Sequence, residues 1–156
     1  MDSKVFRGIA RVAAPVSAAA GLLLGSVPAQ AEPAQQCSDE CRLAGAHSYI
    51  RALVAHESAD VPLSPRATRV EQGLQTGFSG PQIRADLAHG PQYRVIRGVR
   101  DEHDQVINGT VHTNYLLDVG LGPVPLTTAR VSETFTYDGA GIRTIHAHIS
   151  IVPPGQ

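Results

Sequence analysis

Hydrophobic residues recur at helical spacing in two segments of the chain. Between Ser38 and Glu57 they return every three or four residues, and Ser38 stands where it can cap the start of the helix. A shorter helix is predicted over 82–88, with a proline near its first turn and Gly90 beyond its last. The pattern therefore predicts two helices in the first half of the chain.

The remaining segments have the pattern of extended chain. A rigid connector at 61–65 precedes a short strand at 67–72 and a loop at 73–80, because proline disfavours helix in the residue before it. Valine, isoleucine, threonine and tyrosine then predict four further strands, at 93–100, 105–117, 129–137 and 142–152. Helices followed by a run of strands indicate an α+β fold with a mostly antiparallel sheet.

Turn-forming residues indicate how these strands connect. The clusters at 101–104 and 138–141 are predicted to be hairpin turns. Asn108-Gly109 is interpreted instead as a bulge within one long strand. The glycine- and proline-rich stretch at 118–128 is predicted to be a loop, which either caps a cavity or simply crosses over.

The amino end has the pattern of a cleavable export signal. Lys4, Arg7 and Arg11 precede an apolar stretch, and Ala29-Gln30-Ala31 supplies the small-x-small pattern that signal peptidase reads. A retained anchor or an amphipathic helix is the alternative, although the apolar stretch is short for a bilayer. We therefore predict that residues 1–31 are removed. We expect the remaining residues, 32–156, to form one secreted or periplasmic domain with no membrane attachment.

Two cysteines, Cys37 and Cys41, lie at the start of the first predicted helix. In an oxidising compartment an even pair predicts a disulfide, and positions i and i+4 of a helical turn lie within bridging distance. Two free thiols, or half of a metal site, are the alternatives.

Composition and missing motifs exclude several classes of protein. The formal net charge of −1 provides no basic surface for nucleic acid, and a chain with no tryptophan and 4% aromatic residues has few base-stacking groups. The sequence contains no Gly-x-Ser-x-Gly elbow, phosphate-binding loop or dinucleotide fingerprint. We therefore expect no cofactor and no nucleic-acid partner.

Polar residues gather on one face of the last predicted hairpin. A constant register from the turn places Glu133 opposite His146, and the two-residue period adds His148 and Ser150 to that face. A Glu–His pair can transfer protons near neutral pH; a solvated surface is the alternative. His146 and His148 also have the spacing of metal ligands, with His112 or Glu133 as a third. Nothing fixes that third ligand, so no metal is predicted.

The order of the elements resembles the nuclear transport factor 2-like superfamily. The resemblance rests on segments 48–56, 67–71, 79–84 and 133–142, which are similar to its first helix, first strand, second helix start and closing hairpin. It implies helices packed on a strongly curved, mostly antiparallel sheet that forms a cone around an internal pocket. It also implies a small, apolar, oxygenated ligand and a homodimer formed through a flat sheet face.

The catalytic comparison within this superfamily is ketosteroid isomerase, with SnoaL-like polyketide cyclases nearby. By resemblance, Tyr49 matches its oxyanion tyrosine, Glu71 its aspartate base, and Glu133 a protonated aspartate that donates to the oxyanion. Such a site removes a proton beside a carbonyl and stabilises the enolate without a cofactor. Both acids here are glutamates, and His146, His148 and Ser150 are polar where a steroid site is apolar, so a steroid substrate is not implied.

Two functions therefore follow from the sequence. The first is an exported isomerase, cyclase or lyase that uses Tyr49, Glu71, Glu133 and His146 on a small carbonyl compound, with His112, His148 and Ser150 in its pocket. The second is a non-catalytic ligand-binding or homodimerisation domain. In that case Glu71 is an exposed strand residue and Tyr49 packs against the sheet.

Overall fold

The computed structural model describes residues 37–153, which form two helices and six strands. The predicted export signal, residues 1–31, lies outside the described residues. In chain order the elements are α1 (Asp39–Ala55), β1 (Leu63–Glu71), β2 (Leu74–Gly77), α2 (Gly80–His89), β3 (Ile96–Ile107), β4 (Thr110–Leu121), β5 (Val124–Asp138) and β6 (Gly141–Ile151). Neither helix in this part of the chain is long and apolar enough to cross a membrane.

The six strands form one curved, open sheet in the order β2-β1-β6-β5-β4-β3. Every neighbouring pair is antiparallel except β1 and β6, which run parallel. Both helices lie on one face of the sheet, here called the inner face, where their apolar residues meet those of the strands in a single buried core. At its centre the rings of Tyr49 and Phe135 pack edge to face, with centroids 5.4 Å apart. The predicted α+β fold is confirmed.

The start and end of α1 follow from local hydrogen bonding. The Ser38 side chain accepts a hydrogen bond from the Cys41 backbone N–H, which satisfies a donor of the first turn. His56 adopts a left-handed conformation with φ 58° and ends the helix two residues before the predicted limit. Cys37 and Cys41 are joined by a disulfide across the first turn, with 5.4 Å between their Cα atoms. The predicted bridge is confirmed.

The hairpin between β3 and β4 reverses the predicted roles of turn and bulge. Asn108 and Gly109 have φ values of 50° and 77°, and they form the two-residue turn. Two consecutive positive φ angles give a turn whose twist matches that of the strands, which explains the Asn-Gly pair. The segment 101–104, predicted to be a turn, instead continues β3 through an irregularity where Asp101 has a φ of 53°. Both predictions were wrong.

The segment 73–80, predicted to be a loop, contains the short edge strand β2. Gln72 and Gly73 both have positive φ, and Glu71 pairs directly with Leu74 across the two-residue turn that they form. The connector that precedes β1 is also shorter than predicted, because β1 begins at Leu63.

The segment 118–128, predicted to be a loop, is the end of a long hairpin. Strands β4 and β5 continue through it until Leu121 pairs with Val124, and only Gly122 and Pro123 form the turn. Neither a cap over a cavity nor a crossover is present at this position. Pro125 is the second residue of β5. A proline is tolerated near the end of a strand, where fewer ladder hydrogen bonds are lost.

Candidate functional site

A one-residue slip in the β5–β6 hairpin determines which residues face the inside. Tyr137 pairs with Ile142 as predicted, but the register shifts between Thr136 and Tyr137. Beyond that shift Glu133 lies opposite Ala147, and His146 lies opposite Thr134. The predicted pairing of Glu133 with His146 is therefore wrong, because a slip of one residue moves a strand's side chains to the other face.

The histidines proposed for the site lie on the outer face of the sheet. His112 and His146 flank Thr134 in one row across β4, β5 and β6, and His148 lies opposite Ser132 in the next. His146, His148 and Ser150 are exposed, and His112 is half-buried. The structure therefore separates these four residues from Glu133, which faces the core.

A cavity of about 280 Å³ lies between α1 and the inner face of the sheet. Its walls are mostly apolar, formed by Leu53, Val95, Ile96, Leu117, Val119, Val131, Ala147 and Ile149. Six polar side chains also line it: Tyr49, Glu71, Gln92, Tyr93, Tyr115 and Glu133. Three of the four residues predicted to be catalytic, Tyr49, Glu71 and Glu133, thus share one cavity.

Glu133 is the most strongly perturbed acid of this cavity. Its side chain is buried, and the Tyr115 hydroxyl donates a hydrogen bond of 2.9 Å to its Oε2. Burial raises the pKa of Glu133 to about 8, the Tyr115 hydrogen bond and Arg69 oppose that rise, and the charge of Glu71 adds to it. Glu133 is therefore a protonated, hydrogen-bonding acid near neutral pH.

Glu71 lies in the same row of the sheet as Glu133. Both residues pair with Ala147, one from each side, so their Cα atoms are about 10 Å apart at the usual strand spacing. The Glu71 side chain is 28% exposed, whereas Glu133 is enclosed. The cavity thus places one solvent-accessible carboxylate and one buried carboxylic acid on either side of a space that a small molecule can enter.

Arg69 connects Glu71 to the second helix. Its Nε lies 3.6 Å from Glu71 Oε2, and its Nη2 lies 3.4 Å from Asp86 Oδ2. Burial alone lowers the pKa of Arg69, but the neighbouring tyrosines and Glu71 more than offset this and raise it. The guanidinium also stacks on Tyr93, with Cζ 5.5 Å from the ring centroid. Two carboxylates therefore balance this buried cation.

The tyrosines of the cavity remain protonated donors. Burial and the charge of Glu133 raise the pKa of Tyr49, while Arg69 opposes that rise. Burial likewise raises the pKa of both Tyr93 and Tyr115. A phenol with a raised pKa donates a hydrogen bond at neutral pH and does not act as a base.

Sequence reasoning missed Arg69, Tyr93 and Tyr115. The two-residue period of a strand places Arg69 on the same face as Glu71, so that pair was detectable. Tyr115 required the β4–β5 register. Tyr93 was predicted to begin a strand at 93–100, whereas β3 begins only at Ile96 and Tyr93 lies before it.

A cluster outside the cavity lining has the donor atoms of a metal site. His47 Nε2 lies 2.8 Å from Asp104 Oδ2 and 3.5 Å from Glu102 Oε1. Burial and the charge of Asp104 raise the pKa of Glu102, while His47 and Arg51 oppose the rise. Because these contacts already pair the imidazole with a carboxylate, the cluster is explained as an attachment of α1 to β3.

A surface groove of about 620 Å³ near the β4–β5 turn is larger than the cavity. Of its three charged residues, Arg97, Arg100 and Asp118, the last two bond each other, with Arg100 Nε 3.1 Å from Asp118 Oδ2. It holds no buried acid or base, so the smaller cavity is the candidate site.

Solved structures share this fold at low sequence identity. An LEH-like epoxide hydrolase from M. tuberculosis is 14% identical with a TM-score of 0.60, covering 71% of this chain and 84% of that one. A SnoaL-like polyketide cyclase from Shewanella denitrificans is 15% identical with a TM-score of 0.55, covering 70% and 90%. A nuclear transport factor 2-like protein of unknown function from Cytophaga hutchinsonii is 7% identical with a TM-score of 0.56, covering 71% and 97%. The fold is that of the nuclear transport factor 2-like superfamily.

The chain belongs to the family described as "Domain of unknown function (DUF8021)", whose model matches residues 35–149. No curated protein matches the sequence.

Proposed function

We propose that this chain is an exported domain that binds a small, apolar carbonyl compound and rearranges it by cofactor-free acid/base chemistry. The observation that carries the proposal is Glu133, an acid buried in an apolar cavity whose pKa is raised to about 8. Enzymes use such burial to keep a carboxylic acid neutral at physiological pH so that it can donate a hydrogen bond. Structural neighbours described as an isomerase, a cyclase and an epoxide hydrolase agree with this class of chemistry.

The proposed roles follow from exposure and hydrogen bonding. Glu71 removes a proton from the carbon beside the carbonyl, and the carbonyl oxygen becomes an enolate that accepts hydrogen bonds from Glu133 and Tyr49. The Tyr115 hydroxyl donates to Oε2 of Glu133, so we assign the other oxygen, Oε1, to the contact with the ligand. In a β,γ-unsaturated carbonyl compound Glu71 then returns the proton to the γ-carbon, and the double bond moves into conjugation with the carbonyl. The net reaction is an isomerisation that needs no oxidant or cofactor.

Export and a single domain over 32–156 are part of this proposal. The Cys37–Cys41 disulfide supports export, because disulfides persist in oxidising compartments. N-terminal sequencing of secreted protein is expected to begin at Glu32, and an intact amino end on exported material would contradict cleavage.

A non-catalytic ligand-binding domain is the second candidate. The ion pair between Arg69 and Glu71 favours it, because a carboxylate held against a guanidinium is less free to approach a substrate carbon. A homodimer formed through the sheet belongs to this candidate, and sedimentation equilibrium measures it directly.

Exchange of carbon-bound hydrogen for deuterium separates the two candidates. We expect the protein to accelerate exchange at the α-carbon of cyclohexanone in D₂O. Glu71→Gln and Glu133→Gln are each expected to reduce that acceleration by about 100-fold or more, the usual cost of losing a catalytic acid, base or oxyanion donor. Glu57→Gln, which changes an exposed glutamate outside the cavity lining, is the matched control.

If no acceleration of exchange is observed, measuring cyclohexanone binding to the same variants distinguishes a lack of catalysis from a lack of binding. If cyclohexanone shifts the NMR signals of the cavity residues but exchanges no faster than in buffer, catalysis is refuted and ligand binding remains. If the acceleration survives both glutamine variants, the assigned roles of Glu71 and Glu133 are wrong.

A further inference from the structure

Tyr93 carries the one hydroxyl of the cavity lining that is both buried and without a hydrogen-bond partner among residues 37–153. The residue is only 5% exposed. Its ring is packed beneath Arg69, but the guanidinium lies over the face of the ring, with Cζ 5.5 Å from the centroid. The oxygen of Tyr93 is therefore left with an unused donor hydrogen.

Such an atom needs an explanation, because folded proteins satisfy nearly all of their buried polar groups. An unpaired hydroxyl is costly when it is removed from water, and phenylalanine fills the same space without that cost. Burial also raises the pKa of Tyr93, so the hydroxyl keeps its hydrogen and can donate it. An acceptor that enters the cavity would satisfy this donor.

The charge of the cavity restricts what that acceptor can be. Arg69 has a buried Nη1 without a hydrogen-bond partner among the described residues, but its positive charge already faces the two carboxylates Glu71 and Asp86, so no net positive charge attracts an anionic ligand. A second carboxylate beside Glu71 would be repelled. The acceptor that fits is a neutral oxygen, such as an ether, hydroxyl or carbonyl group.

We propose that the cavity takes a small neutral molecule with two oxygen functions, one directed to Glu133 and Tyr49 and the other to the hydroxyl of Tyr93. The inference rests on the proposed function and adds a second polar position that specifies the ligand. The volume of about 280 Å³ limits the enclosed part to on the order of ten non-hydrogen atoms, since a liquid water occupies ~30 Å³. A single substituted ring is the class of ligand that fits.

Three ring ketones of nearly equal size test the second position. Cyclohexanone has one oxygen, whereas tetrahydropyran-3-one and tetrahydropyran-4-one replace one ring CH₂ with an ether oxygen. We would measure the dissociation constant of each probe by NMR titration of the parent protein and of Tyr93→Phe. For each protein we take the ratio of the affinity for an ether ketone to the affinity for cyclohexanone. For at least one ether ketone this ratio is expected to be about fivefold lower in Tyr93→Phe than in the parent, the usual value of one hydrogen bond.

Tyr137→Phe is the matched control. The Tyr137 hydroxyl donates to the backbone oxygen of Arg42, and Tyr137 does not line the cavity. We expect this variant to keep the parent's ratio of affinities but to lose stability, because the Arg42 carbonyl loses its donor. Tyr93→Phe, which removes an unpaired group, is expected to unfold at the same temperature as the parent or higher.

Each outcome supports or overturns the inference. If the ratios in Tyr93→Phe equal those of the parent for both ether ketones, Tyr93 does not contact the ligand. If Tyr93→Phe is destabilised or does not fold, the hydroxyl has a structural partner and the inference is also wrong. In both cases cyclohexanone still binds to the parent and the proposed function stands. If cyclohexanone does not bind near Glu133 at all, the proposed function fails and the inference fails with it.

Discussion

Replacing Glu133 with glutamine removes a proton-binding group that behaves differently in the folded and unfolded chain. The pKa of Glu133 is about 8 in the folded protein, against 4.5 for an unperturbed glutamate, chiefly because of burial. Between those two pH values the folded state holds a proton that the unfolded state has released. Stability is therefore fully present below pH 4.5, falls as the pH rises towards 8, and is constant above it.

The size of this effect follows from the difference in pKa. Each unit of difference corresponds to about 1.4 kcal/mol, so the free energy of unfolding should fall by about 5 kcal/mol between pH 4.5 and pH 8. A domain of this size has a total stability of roughly 5–15 kcal/mol, so the change is a large part of it. Ionised Glu133 is thus expected to be among the largest pH-dependent costs in the fold.

The glutamine variant lacks this dependence, because an amide is uncharged at every pH and can still accept the Tyr115 hydrogen bond. We expect Glu133→Gln to match the parent near pH 5 and to exceed it by about 4 kcal/mol at pH 9. Urea unfolding followed by circular dichroism at unit steps from pH 5 to pH 9 measures both curves. Glu57→Gln, at an exposed position, should run parallel to the parent. If Glu133→Gln also runs parallel to the parent, Glu133 is not held in a desolvated cavity.

Three further predictions concern the disulfide, one turn and the outer face. Reduction of the Cys37–Cys41 bridge should raise the intact mass by about 2 Da and cost at most about 2 kcal/mol in urea unfolding, because the closed loop is short. Gly109→Ala should cost about 1–2 kcal/mol in the same assay, since Gly109 has a φ of 77° in a tight turn, and an unchanged midpoint would contradict that turn. His146→Ala and His148→Ala should leave binding and exchange of cyclohexanone unchanged, because both side chains are exposed on the outer face. A tenfold loss of binding or exchange in either variant would show that these histidines act in the site.

The first helix, predicted from local signals, agrees with the structure. Ser38 and the helical spacing after it predicted α1, because a cap and an amphipathic pattern are properties of neighbouring residues. The grouping of Tyr49, Glu71 and Glu133 came from resemblance to a superfamily, and the cavity contains all three. Their roles in catalysis stay predictions.

The wrong predictions about the site concern features that depend on a single residue of register or on distant parts of the chain, whereas Asn108-Gly109 was a local turn signal that was misassigned. The slip between Thr136 and Tyr137 leaves no pattern in the sequence, yet it turns His146 to the outside and Ala147 to the inside. Tyr93 joins the cavity only because the segment before β3 packs beside Arg69, far away in the sequence. Local sequence patterns do not encode such placements.

The parallel pairing of β1 with β6 has a consequence for the order in which the protein can fold. The antiparallel hairpins from β3 to β6 join neighbours in the chain, whereas Val70 must find His146 near the carboxyl end. Pairing across so long a loop has a high entropic cost and forms slowly. Glu71 can therefore join the row that contains Glu133 only after the final strand has left the ribosome. No amino-terminal portion of the nascent chain carries a working version of the cavity.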